Sequence, residues 1–276
     1  MFRKYYGAVI LKKGLALFLC LCLFLCGCTR ETISLYQEKP EFQESVVFED
    51  SDFRITATDI QHNAGNIEIK ILVENSYQEN ATVYCDSFII NNIMLTALMW
   101  VDVAAEAKAN GTIYIDKADL QPAGIEQINT LTSYGAHISF DVRDTLEIEF
   151  SITGNVDYIQ SIDESGNVMY SENGITVISK FEPGTYSDRI PLLIKNDSGQ
   201  DLHIGTSHVT VNGHTVPEWK YYTPICDGTY RFFEIELSSW GLEENNIDKI
   251  ESASFVISFM VPKSTQVVFQ TEQLSA

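Results

Sequence analysis

The chain states one pattern twice at a nearly constant distance, and that constrains its fold more than anything else in it. Val47-Phe48-Glu49-Asp50-Ser51-Asp52-Phe53-Arg54-Ile55 repeats as Met169-Tyr170-Ser171-Glu172-Asn173-Gly174-Ile175-Thr176-Val177, at a spacing of 122. Residues 69–92 align without a gap on 190–213 at a spacing of 121, with Ile69 and Ile190, Leu72 and Leu193, Asn75 and Asn196, and Asn91 and Asn212 identical. A third match sets Ile138-Ser139-Phe140 against Ile257-Ser258-Phe259, and 146–150 against 265–269, at a spacing of 119. Order and distance kept together mark a tandem duplication. Two copies of ordinary domain size follow, 46-153 and 168-276, joined by a linker or hairpin over 154-167.

Within each copy the apolar stretches are short, rich in β-branched residues and broken by turn residues, as strands are. Asn75-Ser76 and Asn196-Asp197-Ser198-Gly199 supply turns. Asn91-Asn92 and Asn212-Gly213 close strands with dipeptides that tolerate positive φ, the mark of a tight hairpin turn. Residues 141–144 and 260–263 read as the turns of a closing hairpin. Leu95 to Ala109 is full of helix formers, but its counterpart from Thr215 to Asp227 contains Pro217 and Pro224, which a helix interior rejects. Extended or irregular backbone is therefore expected there, with short helical turns only near 116–121 and 238–244, where Asp116 and Ser238 can cap. The fold class that results is all-β: two tandem immunoglobulin-like β-sandwich repeats.

Ahead of the repeats the chain changes character. A basic start (Arg3, Lys4, Lys12, Lys13) precedes an apolar run from Leu15 to Leu25, the layout of a secretory signal peptide over 1-27. The run is too short to span a bilayer, which takes about 20 apolar residues. Leu25-Cys26-Gly27-Cys28 resembles a bacterial lipobox. The resemblance implies diacylglyceryl transfer to the Cys28 thiol, cleavage before it, and acylation of the new amino terminus. Residues 28-45 then serve as lipidated cysteine and flexible tether, with Pro40 and little periodicity. Four of the 18 Lys and Arg lie in the signal, so the mature chain carries 14 basic against 38 acidic side chains, a net of −24. Such a surface repels nucleic acid, which is not expected as a partner. Only Cys85 and Cys226 remain of the six cysteines, at positions that do not correspond between the copies, so free thiols are expected rather than a disulfide.

Residues that carry chemistry are sparse. There is no HExxH, GxSxG, phosphate-cradling glycine loop or CxxC pair after the signal, so no catalytic residue is assigned and no cofactor is expected. His208 and His214 lie six apart, yet no acidic or cysteine partner recurs at ligand spacing, and no metal site is assigned. Counted from Asp163, the twelfth position of a calcium loop is Gly174 where a Glu is needed, so that match fails. The one asymmetry between the copies is aromatic: Trp219, Tyr221, Tyr222, Tyr230, Phe232, Phe233 and Trp240 crowd the second. Tyr230 and Phe232 alternate with Phe233 and Ile235, so one face of that stretch belongs to the core. Trp219, Tyr221 and Tyr222, bracketed by Pro217 and Pro224, are the candidate ligand-binding residues.

With lipobox, tether and a doubled strand-Asn-strand unit together, the chain resembles uncharacterised surface lipoproteins of Gram-positive bacteria that carry tandem immunoglobulin-like or telokin-like β domains. The resemblance implies an extracytoplasmic protein anchored to the cell membrane through lipid on Cys28, and it carries no family catalytic residue. The expected function is a non-enzymatic interaction module for an envelope or secreted protein partner. The alternative is binding of cell-wall or other glycan through the aromatic loop of the second copy.

Overall fold

The computed structural model describes residues 42–218, 222–264 and 266–276. The signal segment, Cys28 and most of the tether lie outside the described residues, as do Trp219 and Tyr221. The first copy runs through β1 (Ser45–Glu49), β2 (Phe53–Asn63), β3 (Asn66–Asn75), β4 (Ala81–Ile90), β5 (Ile93–Val103) and β6 (Ala107–Ile115). It continues with the one-turn helix α1 (Lys117–Leu120), β7 (Thr130–Tyr134), β8 (His137–Phe140), β9 (Leu146–Glu147) and β10 (Ser151–Thr153). The second runs through β11 (Asn167–Glu172), β12 (Ile175–Ser179), β13 (Arg189–Asn196), β14 (Leu202–Val211), β15 (His214–Thr215), β16 (Thr223–Ile225) and β17 (Thr229–Glu236). The helix α2 (Ser239–Glu244), β18 (Ala253–Met260), β19 (Val267–Gln270) and β20 (Leu274–Ser275) complete it. The fold is all-β, and among the described residues no helix is long and apolar enough to cross a membrane.

The duplication reaches individual hydrogen bonds. β1 pairs β2 with a bulge at Val47, and β11 pairs β12 with a bulge at Met169, the residues that open the two matching runs. Asn75 is buried, donates Nδ2 to the carbonyls of Glu79 (2.8 Å) and Ala104 (3.0 Å), and accepts from the Tyr77 amide at 2.9 Å. Asn196 does the same with Gln200 (2.9 Å), Ile225 (3.2 Å) and the Ser198 amide (3.1 Å), every partner displaced by 121. Each carboxamide thus closes one turn and ties it to a second segment of the chain by bonds to backbone groups. Asn91 and Asn212, both at φ 50, begin the two tight turns. Their carboxamides hold 127–130 and 249–252 through matching bonds, Asn91 Nδ2 to Gln127 O and Asn212 Nδ2 to Lys249 O, both 2.7 Å. Asp116 and Ser238 cap the two helices as the sequence indicates.

The third sequence match is displaced. Val83 pairs with Ile138, and its counterpart Ile204 pairs with Phe259, so Ile138 corresponds to Phe259 at a spacing of 121, not to Ile257 at 119. Side chains alternate with period two, so a slip of two residues keeps every apolar residue on the same face and is invisible to the pattern.

Leu95 to Ala109 is two strands around a turn at 104–106, against its helix propensity. Leu95, Ala97, Met99, Val101 and Val103 are buried while Thr96, Leu98, Trp100 and Asp102 are exposed, an alternation that only a strand produces. In the second copy the same stretch is interrupted. Pro217, which has no N–H to give a ladder, falls between the two-residue β15 and the three-residue β16. The consequence is a topological difference between the copies. In the first, β5 pairs both β4 and β6 and joins the two layers into one sheet. In the second, β11-β12-β13-β17 and β15-β14-β18-β19 remain separate sheets packed face to face.

Two apolar clusters result, one from residues between Phe53 and Ile152, the other between Ile175 and Leu274. β17 belongs to both. It pairs β13 along its whole length and meets β5 in parallel at Tyr230 and Ile93. Tyr230 and Phe232 pack on the first cluster, while Phe233 and Ile235 lie in the second. Both faces of that strand are therefore core-facing, where the alternation alone suggested one. Residues 154–166 form no strand; Asp163 Oδ1 accepts from the Ser165 amide (2.8 Å) in a local turn just ahead of β11.

Candidate functional site

The aromatic crowding of the second copy dissolves into separate roles. Tyr230, Phe232 and Phe233 are packing residues between or within the clusters, and Trp240 is exposed at the start of α2. Tyr222 is the described member of the candidate loop, and it is 63% exposed. Its ring lies along β14 over Gly205, where a Cβ would come within 3.1 Å of Tyr222 Cε1 and 3.0 Å of Met260 Cε. A glycine at that position leaves room for the ring beside the backbone.

Among the described residues an exposed apolar surface also sits in the first copy, where the sequence reading did not place one. Leu98 (53% exposed) and Trp100 (58%) project from the solvent face of β5. Leu98 pairs across strands with Tyr114 of β6, and Trp100 with Tyr84 of β4, which in turn pairs with His137 of β8. The rings of Tyr84 and Trp100 meet edge to face, with centroids 5.5 Å apart, and Tyr84 and His137 lie 5.1 Å apart. A row of rings thus crosses three adjacent strands.

The polar tips of this row are held by neighbouring acids. Trp100 Nε1 donates to Asp102 Oδ1 (3.2 Å), which also accepts from Thr82 Oγ1 (2.7 Å), and Tyr84 OH donates to Asp86 Oδ2 (2.8 Å). The bond to the Asp86 carboxylate raises the Tyr84 pKa above its ordinary value, so the phenol stays protonated at neutral pH. Fixed rings cost little side-chain entropy when a partner covers them, which is why Trp and Tyr dominate the energetics of binding surfaces. The signal was present in the sequence: in β5 the buried set is complete without Leu98 and Trp100, which fall on the opposite face. At the spacing of 121 that holds from Asn91 to Ala104, Trp219 and Tyr221 occupy the sequence positions of Leu98 and Trp100.

Neither cysteine is poised for chemistry. Cys226, free and buried, lies 3.9 Å from Met94 Sδ, and burial pushes its thiol up to about 12. Cys85, also free and buried, contacts the carbonyls of Ser87 and Tyr134, and burial raises it too. Thiols so shifted are neutral at physiological pH and poor nucleophiles. Among the described residues no group of three or more His, Cys, Asp or Glu is arranged to hold a metal ion. His208, at φ 56 in the β14 bulge, contacts Ser207 Oγ at 3.1 Å.

A concavity of about 570 Å³ lies between the copies. Met94, Thr96 and Asp119 line it from the first copy, and Arg189, Arg231 and Glu234 from the second. Arg189 Nη1 bonds Glu234 Oε2 at 2.6 Å on the exposed side.

No family model matches the chain, and no curated protein matches it. Among solved structures a red sea bream transglutaminase is similar at 8% identity with a TM-score of 0.22, over 79% of this chain and 29% of that one. The chain therefore spans less than a third of that protein, at a similarity too low to inform fold or activity.

Proposed function

We propose that this chain is a non-enzymatic, lipid-anchored protein of the extracytoplasmic face whose first repeat binds another envelope or secreted protein through the β4-β5-β6 sheet face. The observation that carries the reading is the contiguous exposed set Leu98, Trp100 and Tyr114, continued by Tyr84 and His137. An aliphatic residue beside fixed aromatics is the composition of a protein hot spot, and the edge-to-face setting of Tyr84 on Trp100 denies a flat sugar polymer two coplanar rings to stack on. The anchor rests on the lipobox residues Leu25 to Cys28. Metabolic labelling with a palmitate analogue tests it: label is expected in the wild type and absent from Cys28→Ser, and equal labelling of both would remove the anchor.

For the surface, a photo-crosslinking amino acid at Trp100, compared with one at the exposed Glu126, is the direct test in intact cells. A discrete protein adduct at position 100, lost with Leu98→Ser, is expected; the same diffuse adducts from both positions would dismiss the sheet face.

The alternative, glycan binding by the second repeat, draws on the exposed Tyr222 ring lying on Gly205. Its measurement is tryptophan fluorescence during titration with fragmented cell-wall glycan. A saturable change abolished by Trp219→Ala with Tyr222→Ala would favour it over the protein-partner reading.

A further inference from the structure

The cavity between the repeats contains a charge that the protein does not neutralise. Arg231 is buried, 7% exposed, on the face of β17 shared with Phe233 and Ile235. Its Nη1 donates to Pro224 O (3.0 Å) and its Nη2 to Thr96 Oγ1 (3.1 Å) across the inter-repeat boundary. A guanidinium carries five N–H donors in a planar fork, and these two bonds occupy two of them. Among the described residues no carboxylate lies within 4 Å of it, although every other arginine among them has one. Burial lowers its pKa to about 10, opposed by the field of Asp119, and burial raises the Asp119 carboxyl. Both shifts mark charged groups stripped of water without full compensation.

We propose that this cavity binds a ligand through a single carboxylate seated on the Arg231 fork: an amino acid or the C-terminus of a peptide. The remaining walls choose among anions. Asp119, Glu234 and Glu236 line the same space, and their field repels a doubly charged phosphate or sulfate more strongly than a monovalent carboxylate. The volume of about 570 Å³ is that of a small-molecule site. Asp119 has no cationic partner within 4 Å among the described residues, so it is available to an ammonium group if the ligand is a free amino acid. Thr96 stands on the same face of β5 as Leu98 and Trp100 and lines the cavity.

The test is calorimetric titration of the soluble 29–276 protein with free L-amino acids, L-alanyl-L-alanine, its N-acetyl and C-amide forms, and inorganic phosphate. Saturable binding by at least one free acid is expected, weakened at least about tenfold by amidation, because a charge-assisted pair is lost. If N-acetylation also weakens it, and Asp119→Asn does the same, the ligand is a free amino acid; if neither matters, it is a peptide C-terminus. Arg231→Gln should abolish binding while circular dichroism remains native. The blocked ligands decide the question on wild-type protein even if that variant does not fold. Absence of binding by every free acid at 10 mM, on the order of the weakest useful affinity, would overturn the proposal. Equal binding of the amide, or preference for phosphate, would overturn it as well.

Discussion

Asn196→Ala tests whether the repeated buried asparagine is the clasp of each sandwich. The side chain is fully buried. It gives two hydrogen bonds from Nδ2, to Gln200 O and Ile225 O, and takes two on Oδ1, from the Ser198 amide and Ser198 Oγ (2.7 Å). Alanine removes all four. At about 1 kcal/mol net per neutral hydrogen bond, the loss is about 3–4 kcal/mol. With a urea slope of about 2 kcal/mol/M, the midpoint should fall by about 1.5–2 M. Asn75→Ala provides an internal scale. Its counterpart to Ser198 is Tyr77, which has no hydroxyl near Oδ1, so one bond fewer is lost and the cost should be about 1 kcal/mol smaller. Asn63→Ala, which loses one exposed bond to Glu68, should change stability by no more than about 0.5 kcal/mol. Urea unfolding followed by circular dichroism ranks the three. A cost below about 1 kcal/mol for Asn196→Ala would refute the clasp, and a larger loss for Asn75→Ala than for Asn196→Ala would refute the bond count.

Burial lowers the pKa of His203, so the unfolded chain takes up its proton first as pH falls, and stability should drop below the ordinary value of 6.5; His203→Gln should flatten that part of the stability-pH curve. A Cβ on Gly111 would lie 2.3 Å from Val101 Cγ2, so Gly111→Ala should cost about 1–3 kcal/mol by overpacking β6 against β5. Val101→Ala should restore room, and the double variant should be more stable than the sum of the singles by more than about 0.5 kcal/mol, measured by the same denaturation.

Much of the fold was legible because duplication and alternation are local. The spacing of 121 between Asn75 and Asn196 marked two equivalent turns before any contact was known, and Asp116 and Ser238 advertised their helix caps through short polar side chains. The two-residue slip at Ile138 shows the limit: period-two alternation fixes which face a residue takes but not which neighbour it meets. The aromatic residues show the same limit in another form. Their density around 219–240 drew attention to the second copy, but β17 passes between two cores and needs apolar groups on both faces, which no pattern within one strand reveals. Conversely, Leu98 and Trp100 share their face of β5 with Thr96 and Asp102, which marks it as the outer face, but only the tertiary structure shows that nothing packs over them. By itself the sequence determined the strand content, the doubling and the turns. The tertiary structure alone decided which apolar residues are exposed and that Arg231 lies buried between the repeats, because exposure depends on what packs from elsewhere in the chain.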